Sequence, residues 1–204
     1  ERATLEAAAT RLPEAPAVHH ALGRVRAAGG DDRGARDSFA RAAALAPGVP
    51  AYQRDLAASL AADDPSGARD ALERVVAVAP DDADAFRAKA ELERAAGDRA
   101  AERASLERAT ALAPGRQDLW LALARACLAG GDIAGADAAL DHAQAAGPAG
   151  ADLHAARGAV HEAAGRLPVA LDHYEAAARL APGATAWSDV GRLRLARGDV
   201  AGAL

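Results

Sequence analysis

Six histidines and one cysteine are the first candidates in this sequence for ligating a metal ion or attacking a substrate. His154 and His161 are seven residues apart, a spacing that places both on one face of a helix. No cysteine or carboxylate cluster accompanies them to complete the ligand set of a zinc site. Cys127 is the single cysteine, so a disulfide within the chain is excluded, and its expected role is that of a small buried residue. The sequence therefore predicts no metal site.

The elements that must position these side chains follow from a period of 33 or 34 residues. A proline recurs with this period at Pro13, Pro47, Pro80, Pro114, Pro148 and Pro182. A small residue recurs in the first half of each repeat, at Gly23, Ala57, Ala90, Ala124, Gly158 and Gly191. A fixed period in this range indicates a solenoid, in which each repeat buries its apolar face against its neighbours.

A glycine-containing turn separates two helical stretches in most repeats. It reads Gly30-Asp31, Gly97-Asp98, Gly131-Asp132, Gly165-Arg166 and Gly198-Asp199. Glycine can end the first helix in a left-handed conformation, and aspartate can cap the second helix by accepting its free N–H groups. The second full repeat is one residue shorter and has Asp63-Asp64-Pro65 at this place. The pattern therefore predicts paired helices joined by tight turns.

This combination of bulky, small and aromatic positions with a closing proline resembles the tetratricopeptide repeat, and Gln117–Gly150 is the best copy in the chain. The resemblance implies an all-α fold, a right-handed superhelical solenoid of helix-turn-helix repeats that spans residues 1–204 as one domain. The repeats are a half repeat at 1–15, full repeats at 16–49, 50–82, 83–116, 117–150 and 151–183, and a truncated repeat at 184–204. The helices are predicted at Glu1–Leu12, Ala17–Ala28, Asp32–Leu45, Ala51–Ala62, Pro65–Val78, Ala83–Ala95, Arg99–Leu112, Gln117–Ala129, Ile133–Ala146, Ala151–Ala164, Leu167–Leu180 and Thr185–Ala196.

The resemblance also implies that the first helix of each repeat lines a concave groove in which partner peptides or helices bind. The charged residues at the groove positions are His20, Arg24, Arg54, Arg87, Arg125 and Arg192, and the apolar ones are Leu121 and Leu128, with Leu195 in the last repeat. A series of guanidinium groups would suit an acidic partner segment, because each can bind a carboxylate through two hydrogen bonds. Two alternatives stay open. The arginines can pair with the nearby Asp55, Asp84, Glu91 and Asp118 on a solvated face, and the leucines can pack against the next helix.

The function implied by the resemblance is a protein–protein interaction scaffold or adaptor with no catalytic residue and no cofactor, because the repeat explains almost every polar residue. The alternative is a substrate-recruiting or regulatory arm of a larger enzyme, such as a transferase, protease or kinase. Self-association through the second helices is a third reading. His154 and His161 stand where the family has packing aromatics, and His142 and His173 are expected on the outer surface.

Composition limits the partners and the location. The net charge of −5 does not favour a nucleic-acid partner. No apolar stretch is long enough for insertion into a membrane. The cytoplasm is the expected location, with the periplasm as the alternative. The bias toward arginine, alanine and glycine predicts a bacterial source with a GC-rich genome, and the chain is expected to be a piece of a longer protein.

Overall fold

Twelve α-helices form in residues 1–196, the part of the chain that the computed structural model describes. They are α1 (Arg2–Arg11), α2 (Pro16–Ala28), α3 (Asp32–Leu45), α4 (Pro50–Leu60), α5 (Pro65–Val78), α6 (Ala83–Ala95), α7 (Arg99–Leu112), α8 (Gln117–Ala129), α9 (Ile133–Ala146), α10 (Ala151–Ala163), α11 (Leu167–Leu180) and α12 (Ala184–Ala196). No strand occurs in these residues, so the predicted all-α fold is confirmed. Residues 197–204, which contain the predicted Gly198-Asp199 turn, lie outside the described part.

The helices begin and end within two residues of the predicted bounds. The largest difference is at α4, which ends at Leu60 rather than at Ala62. Three helices begin one residue earlier than predicted, and in two of them, α2 and α4, a proline (Pro16 or Pro50) occupies the first helical position. Proline suits this position, since its fixed φ matches the helix and its missing N–H would have no partner there.

The chain divides into two compact units, Glu1–Gly97 and Asp98–Leu204, and each is built from helix pairs. In the first unit α2 packs on α3 and α4 on α5, while contacts of α3 with α4 and of α5 with α6 join successive pairs. In the second unit α8 packs on α9 and α10 on α11, while α9 contacts α10 and α11 contacts α12. Each pair therefore buries its apolar face on its neighbours along the sequence.

The turns between paired helices have the geometry that the sequence predicts. Gly30, Gly97, Gly131 and Gly165 have φ angles between 72° and 80°, a conformation that only glycine adopts without strain. The following aspartate caps the next helix by accepting a backbone N–H three residues on. The cap distances are 3.0 Å for Asp31 and Gly34, 3.1 Å for Asp98 and Ala101, and 2.8 Å for Asp132 and Gly135. Arg166 has no side-chain cap bond.

Arginines of the second helices reach the next turn along the chain. Arg2 donates to Asp31 at 2.8 Å, and Arg103 donates to Asp132 at 2.7 Å. Each of these carboxylates is also the cap of the next second helix, so one side chain fixes two elements. Arg36, at the same repeat position as Arg2 and Arg103, donates in the same way to Asp63. The pKa of Asp132 is lowered, first by the Gly135 N–H and then by the hydrogen bond from Arg103.

The small position of each first helix faces a matching residue of the second helix. A Cβ added to Gly23 would lie 2.6 Å from Cδ1 of Phe39, and one added to Gly158 would lie 2.9 Å from Cδ1 of Tyr174. Where the small residue is alanine, the residue at the matching position is a buried leucine. These pairs are Ala57 and Leu72 in the first unit and Ala124 and Leu140 in the second. Glycine thus occurs with an aromatic ring and alanine with leucine, which keeps the filled volume nearly constant.

Candidate partner-binding surfaces

Three of the four groove cations predicted in the first unit are engaged by carboxylates of the same unit. His20 Nε2 lies 2.6 Å from an Asp55 oxygen. Arg54 donates to Asp82 at 2.6 Å, and Asp82 also caps α6. Arg87 contacts Glu91 one turn further along α6, at 3.2 Å. These cations therefore help to hold the unit together.

Arg24 differs from these three residues. Its side chain is exposed on α2, and no ion pair within residues 1–196 includes it. Its guanidinium group is therefore available to a carboxylate from outside the described chain.

The second unit shows the same division between engaged and available cations. Arg192 donates to both oxygens of Glu162, one contact being 2.9 Å, and Glu162 also accepts a 3.0 Å hydrogen bond from the Tyr174 hydroxyl. The pKa of Glu162 is lowered, chiefly by the hydrogen bond from Arg192. Arg125 is exposed on α8, and no carboxylate of residues 98–196 pairs with it.

The three leucines of the predicted groove have different surroundings. Leu121 is 6% exposed and belongs to the core of the second unit. Leu128, two turns further along α8, is half-buried. Leu195 is 55% exposed on α12. Only Leu128 and Leu195 thus present apolar surface that a partner can contact.

The carboxylates named from the sequence as alternative arginine partners are used in several ways. Asp55 holds His20 rather than an arginine. Asp118 pairs with Arg116 at 2.7 Å, a contact within one turn of the chain. Glu91 pairs with a groove arginine, Arg87.

A cavity of about 590 Å³ opens between α2, α3 and α4 in the first unit. Ala35 and Phe39 are buried residues of its lining, and alanines of α2 and α4 contribute small side chains to it. Arg24 also lines the cavity, so its exposed guanidinium group stands beside an apolar space.

Family comparison agrees with this arrangement of helix pairs. A family model described as tetratricopeptide repeat matches residues 58–117, 121–185 and 156–204. The chain belongs to the tetratricopeptide repeat family. Proteins of this family are scaffolds for protein–protein interaction, and this coarse function applies to the chain. No curated protein has a similar sequence.

Solved structures of tetratricopeptide repeat proteins have the same fold at low sequence identity. PilW, described as a widely conserved type IV pilus biogenesis factor, is 17% identical with a TM-score of 0.79, and the match covers 94% of this chain and 88% of PilW. PilF of Pseudomonas aeruginosa is 16% identical with a TM-score of 0.77, over 94% of this chain and 88% of PilF. YrrB, described as a TPR protein with an unusual peptide-binding site, is 13% identical with a TM-score of 0.69, over 95% of this chain and 97% of YrrB.

Within residues 1–196, no helix of this tetratricopeptide repeat chain combines the length and the apolar character that crossing a bilayer requires.

Three histidines of the second unit come together between α10 and α11, and we call them the histidine cluster: His154, His161 and His173. The Nδ1 atoms of His154 and His173 are 3.1 Å apart, and the rings of His161 and His173 stack at a centroid distance of 5.3 Å. The prediction that His173 lies on the outer surface is wrong, because the ring is half-buried against α10. No group of metal-ligating side chains in the described residues has the geometry of a metal site.

We expect the histidine cluster to make the second unit less stable in mild acid. Burial is the main cause that lowers the pKa values of His161 and His173. Positive neighbours lower them further, and these include Arg157 for both rings and Arg166 for His161. The nearby carboxylates Asp137, beside His161, and Asp172, beside His173, act in the opposite direction and raise the pKa. The unfolded chain then binds protons below about pH 6.5 that the folded chain does not bind. The free energy of unfolding should therefore fall as pH decreases below that value, with uptake of up to about two protons on unfolding.

Urea unfolding at pH 7.5 and at pH 5.5 measures this effect on the full chain. His173→Phe keeps a planar ring and should reduce the difference between the two pH values. His142→Phe is the matched control, because His142 is an exposed ring stacked on Trp120. Equal pH dependence in the wild type and the His173 variant would contradict the expectation.

Proposed function

We propose that this tetratricopeptide repeat chain is a non-catalytic scaffold that binds acidic segments of partner proteins, with Arg24 as the contact in the first unit and Arg125 as a separate contact in the second. These two arginines differ from the other polar residues at the groove positions, and this difference is the main support for the proposal. Both are exposed and have no ion pair within residues 1–196, whereas His20, Arg54, Arg87 and Arg192 are each engaged by a carboxylate. An arginine in this condition keeps its planar fork free for a carboxylate.

The groove residues that pair with carboxylates of the chain have a different role, which is chiefly to position helices. Arg54 and His20 position helices of the first unit, and Arg192 positions α12 on α10. Arg87 is intermediate, since an exposed ion pair one helical turn apart contributes about 0.3–0.5 kcal/mol and exchanges its partner at little cost. We therefore include Arg87 as a secondary contact for an acidic partner.

Apolar surface beside Arg125 supports a mixed contact in the second unit. Leu128 is three residues from Arg125 on α8, so the two side chains share one face of the helix. A partner with an acidic and an apolar side chain at matching spacing would contact both. YrrB, described as a TPR protein with an unusual peptide-binding site, is a precedent for peptide binding on this fold.

The test is selection of peptides from a random library displayed on phage, with the full chain immobilised. The selected peptides should be enriched in aspartate and glutamate. Their affinity should fall at least about tenfold in Arg24→Glu or in Arg125→Glu, because charge reversal replaces attraction by repulsion.

The matched control is Arg74→Glu, an exposed arginine of the second helix α5 that has no ion pair within residues 1–196. It has the same change of net charge but lies outside the predicted groove positions. Peptides without acidic enrichment, or an equal loss of affinity in the Arg74 variant, would overturn the proposal. Circular dichroism of each variant checks that the helices remain formed.

A further inference from the structure

The cavity between α2, α3 and α4 has the size of a site for a large side chain or a small ligand. Its volume of about 590 Å³ lies within the range of roughly 300–1,000 Å³ typical of ligand pockets. The space exists because α2 and α4 present alanines there. Ala27, Ala58 and Ala62 line the cavity and are exposed.

An aromatic ring is part of the cavity lining. Phe39 is 5% exposed and lines the cavity with Ala35. Its ring is one of three in contact, since the His20 ring is tilted against both Phe39 and Tyr52 at centroid distances of 5.8 Å and 4.7 Å. An aromatic occupant would gain an aromatic neighbour, and such pairs stabilise beyond the area that they bury.

The charged groups of the cavity leave one guanidinium group for a ligand. Arg36 is paired with Asp63, and Asp55 holds His20. Asp32 lies in the first turn of α3, where the helix dipole favours a negative charge. Arg24 is the cavity cation that no carboxylate of residues 1–196 pairs with. The lining carries three aspartates and two arginines, so Arg24 is the group of this rim that a ligand carboxylate can contact.

We infer that this cavity takes one large apolar side chain, aromatic by preference, from a partner segment that carries a carboxylate next to it. This inference rests on the proposed function and specifies its partner, an acidic segment with an aromatic anchor seated in the first unit. Anchors of this kind, buried in a pocket with a polar rim, carry most of the affinity in protein–protein contacts.

The probe is indole-3-propionate, which joins an aromatic ring to a carboxylate. Its binding to the full chain is monitored in NMR spectra of the alanine methyl groups. We expect concentration-dependent shifts of the Ala27, Ala58 and Ala62 methyl groups. Indole-3-propanol has the same ring without the charge and should bind about fivefold more weakly, as expected for a partly exposed ion pair.

Two variants separate the apolar and the ionic parts of the inference. Ala58→Leu places a bulkier side chain of good helix propensity in the cavity and should abolish the shifts of the Ala27 and Ala62 methyl groups. Arg24→Gln should bring the affinity for indole-3-propionate down to that for indole-3-propanol. Arg74→Gln on α5, an exposed arginine outside the groove positions, is the matched control and should leave binding unchanged.

The inference is overturned if the three methyl groups do not shift up to the solubility limit, or if neither Ala58→Leu nor Arg24→Gln alters binding. Acidic peptides that depend on Arg24 while indole-3-propionate fails to bind would remove the aromatic anchor and leave the proposed function standing. Failure of both the peptides and the probe would remove both.

Discussion

Phe39→Ala should lower the free energy of unfolding by about 3 kcal/mol, near the lower end of the range for truncating a buried phenylalanine. The ring is 5% exposed and lies directly over Gly23. Alanine would leave a gap over the glycine that neither helix backbone can fill. The value is at the low end because Phe39 borders the cavity of the first unit, so part of the gap opens to solvent. Urea unfolding followed by circular dichroism measures the loss.

A pair of smaller changes tests whether the glycine and the ring act together. Gly23→Ala alone should destabilise, because its Cβ would stand 2.6 Å from the Phe39 ring and overpacking costs about 1–3 kcal/mol. The gain of up to about 1 kcal/mol in helix propensity offsets only part of this. Combined with Phe39→Leu, the same alanine should be tolerated, since Ala57 and Leu72 already form that combination in the next repeat.

The loss in free energy of unfolding of the double variant should therefore be about 1–2 kcal/mol smaller than the sum of the losses in the two single variants. Gly48→Ala is the matched control, because a Cβ at Gly48 meets no atom within 4 Å. Strict additivity of Gly23→Ala and Phe39→Leu would show that the two positions are independent and would contradict the complementarity described here.

Glu162→Ala should destabilise the second unit by about 2–3 kcal/mol. The carboxylate accepts from the Tyr174 hydroxyl at 3.0 Å and from Arg192, and so joins α10 to α11 and α12. Tyr174 is 6% exposed, and a buried donor left without its acceptor costs about 1–3 kcal/mol. The Arg192 contact adds less, about 0–1 kcal/mol, because that side chain is half exposed.

Arg192→Gln separates the two contributions to the Glu162 effect. It should cost at most about 1 kcal/mol, since it removes only the exposed ion pair. A loss in Arg192→Gln as large as that in Glu162→Ala would show that the tyrosine contact contributes nothing. The pKa of Glu162 is lowered in the folded chain, so its contribution is present at neutral pH and is lost as pH falls below the ordinary carboxyl range.

Helix positions and turns were predictable because they depend on short stretches of sequence. The Gly-Asp turn sets both a left-handed residue and a cap, and each requirement is met within four residues. The family model and the helix pairs confirm the tetratricopeptide repeat prediction. The small α4 error has a local cause, since the repeat is one residue short and Asp64 caps α5 directly.

The partners of the charged groups were harder to predict, because several carboxylates lie within reach of each long side chain. Arg54 pairs with Asp82, the cap of the first helix of the next repeat, rather than with a carboxylate that is closer in the sequence. Glu93 is four residues from Lys89, yet its buried Oε2 has no hydrogen-bond partner in the described residues. The histidine cluster was missed since His173 comes from the second helix, and no single-helix periodicity shows that it faces α10.

One pattern in the sequence would have predicted the ion pairs between arginines of the second helices and the turns that follow. Arg2, Arg36, Arg69 and Arg103 recur at one position of the second helices. In the next repeat Asp137 takes that position and Arg166 takes the cap position, so both charges are exchanged. In the structure Asp137 lies 3.8 Å from Arg157 instead. The recurrence therefore indicates ion pairs between the second helices and the turns that follow, and these lie away from the groove positions of the first helices.

The contact between an arginine and the cap of the following second helix has a consequence for how the chain folds. Where Arg103 meets Asp132, the start of α9 is stabilised further once α7 is in place, because the carboxylate that caps α9 also accepts from Arg103. Such sharing means that part of the stabilising free energy comes from contacts between neighbouring repeats rather than from within each repeat. In a linear array of repeats this increases the cooperativity of unfolding between neighbours. Fraying of either repeat removes the Arg103–Asp132 contact, so it weakens the neighbouring repeat on the other side of this junction.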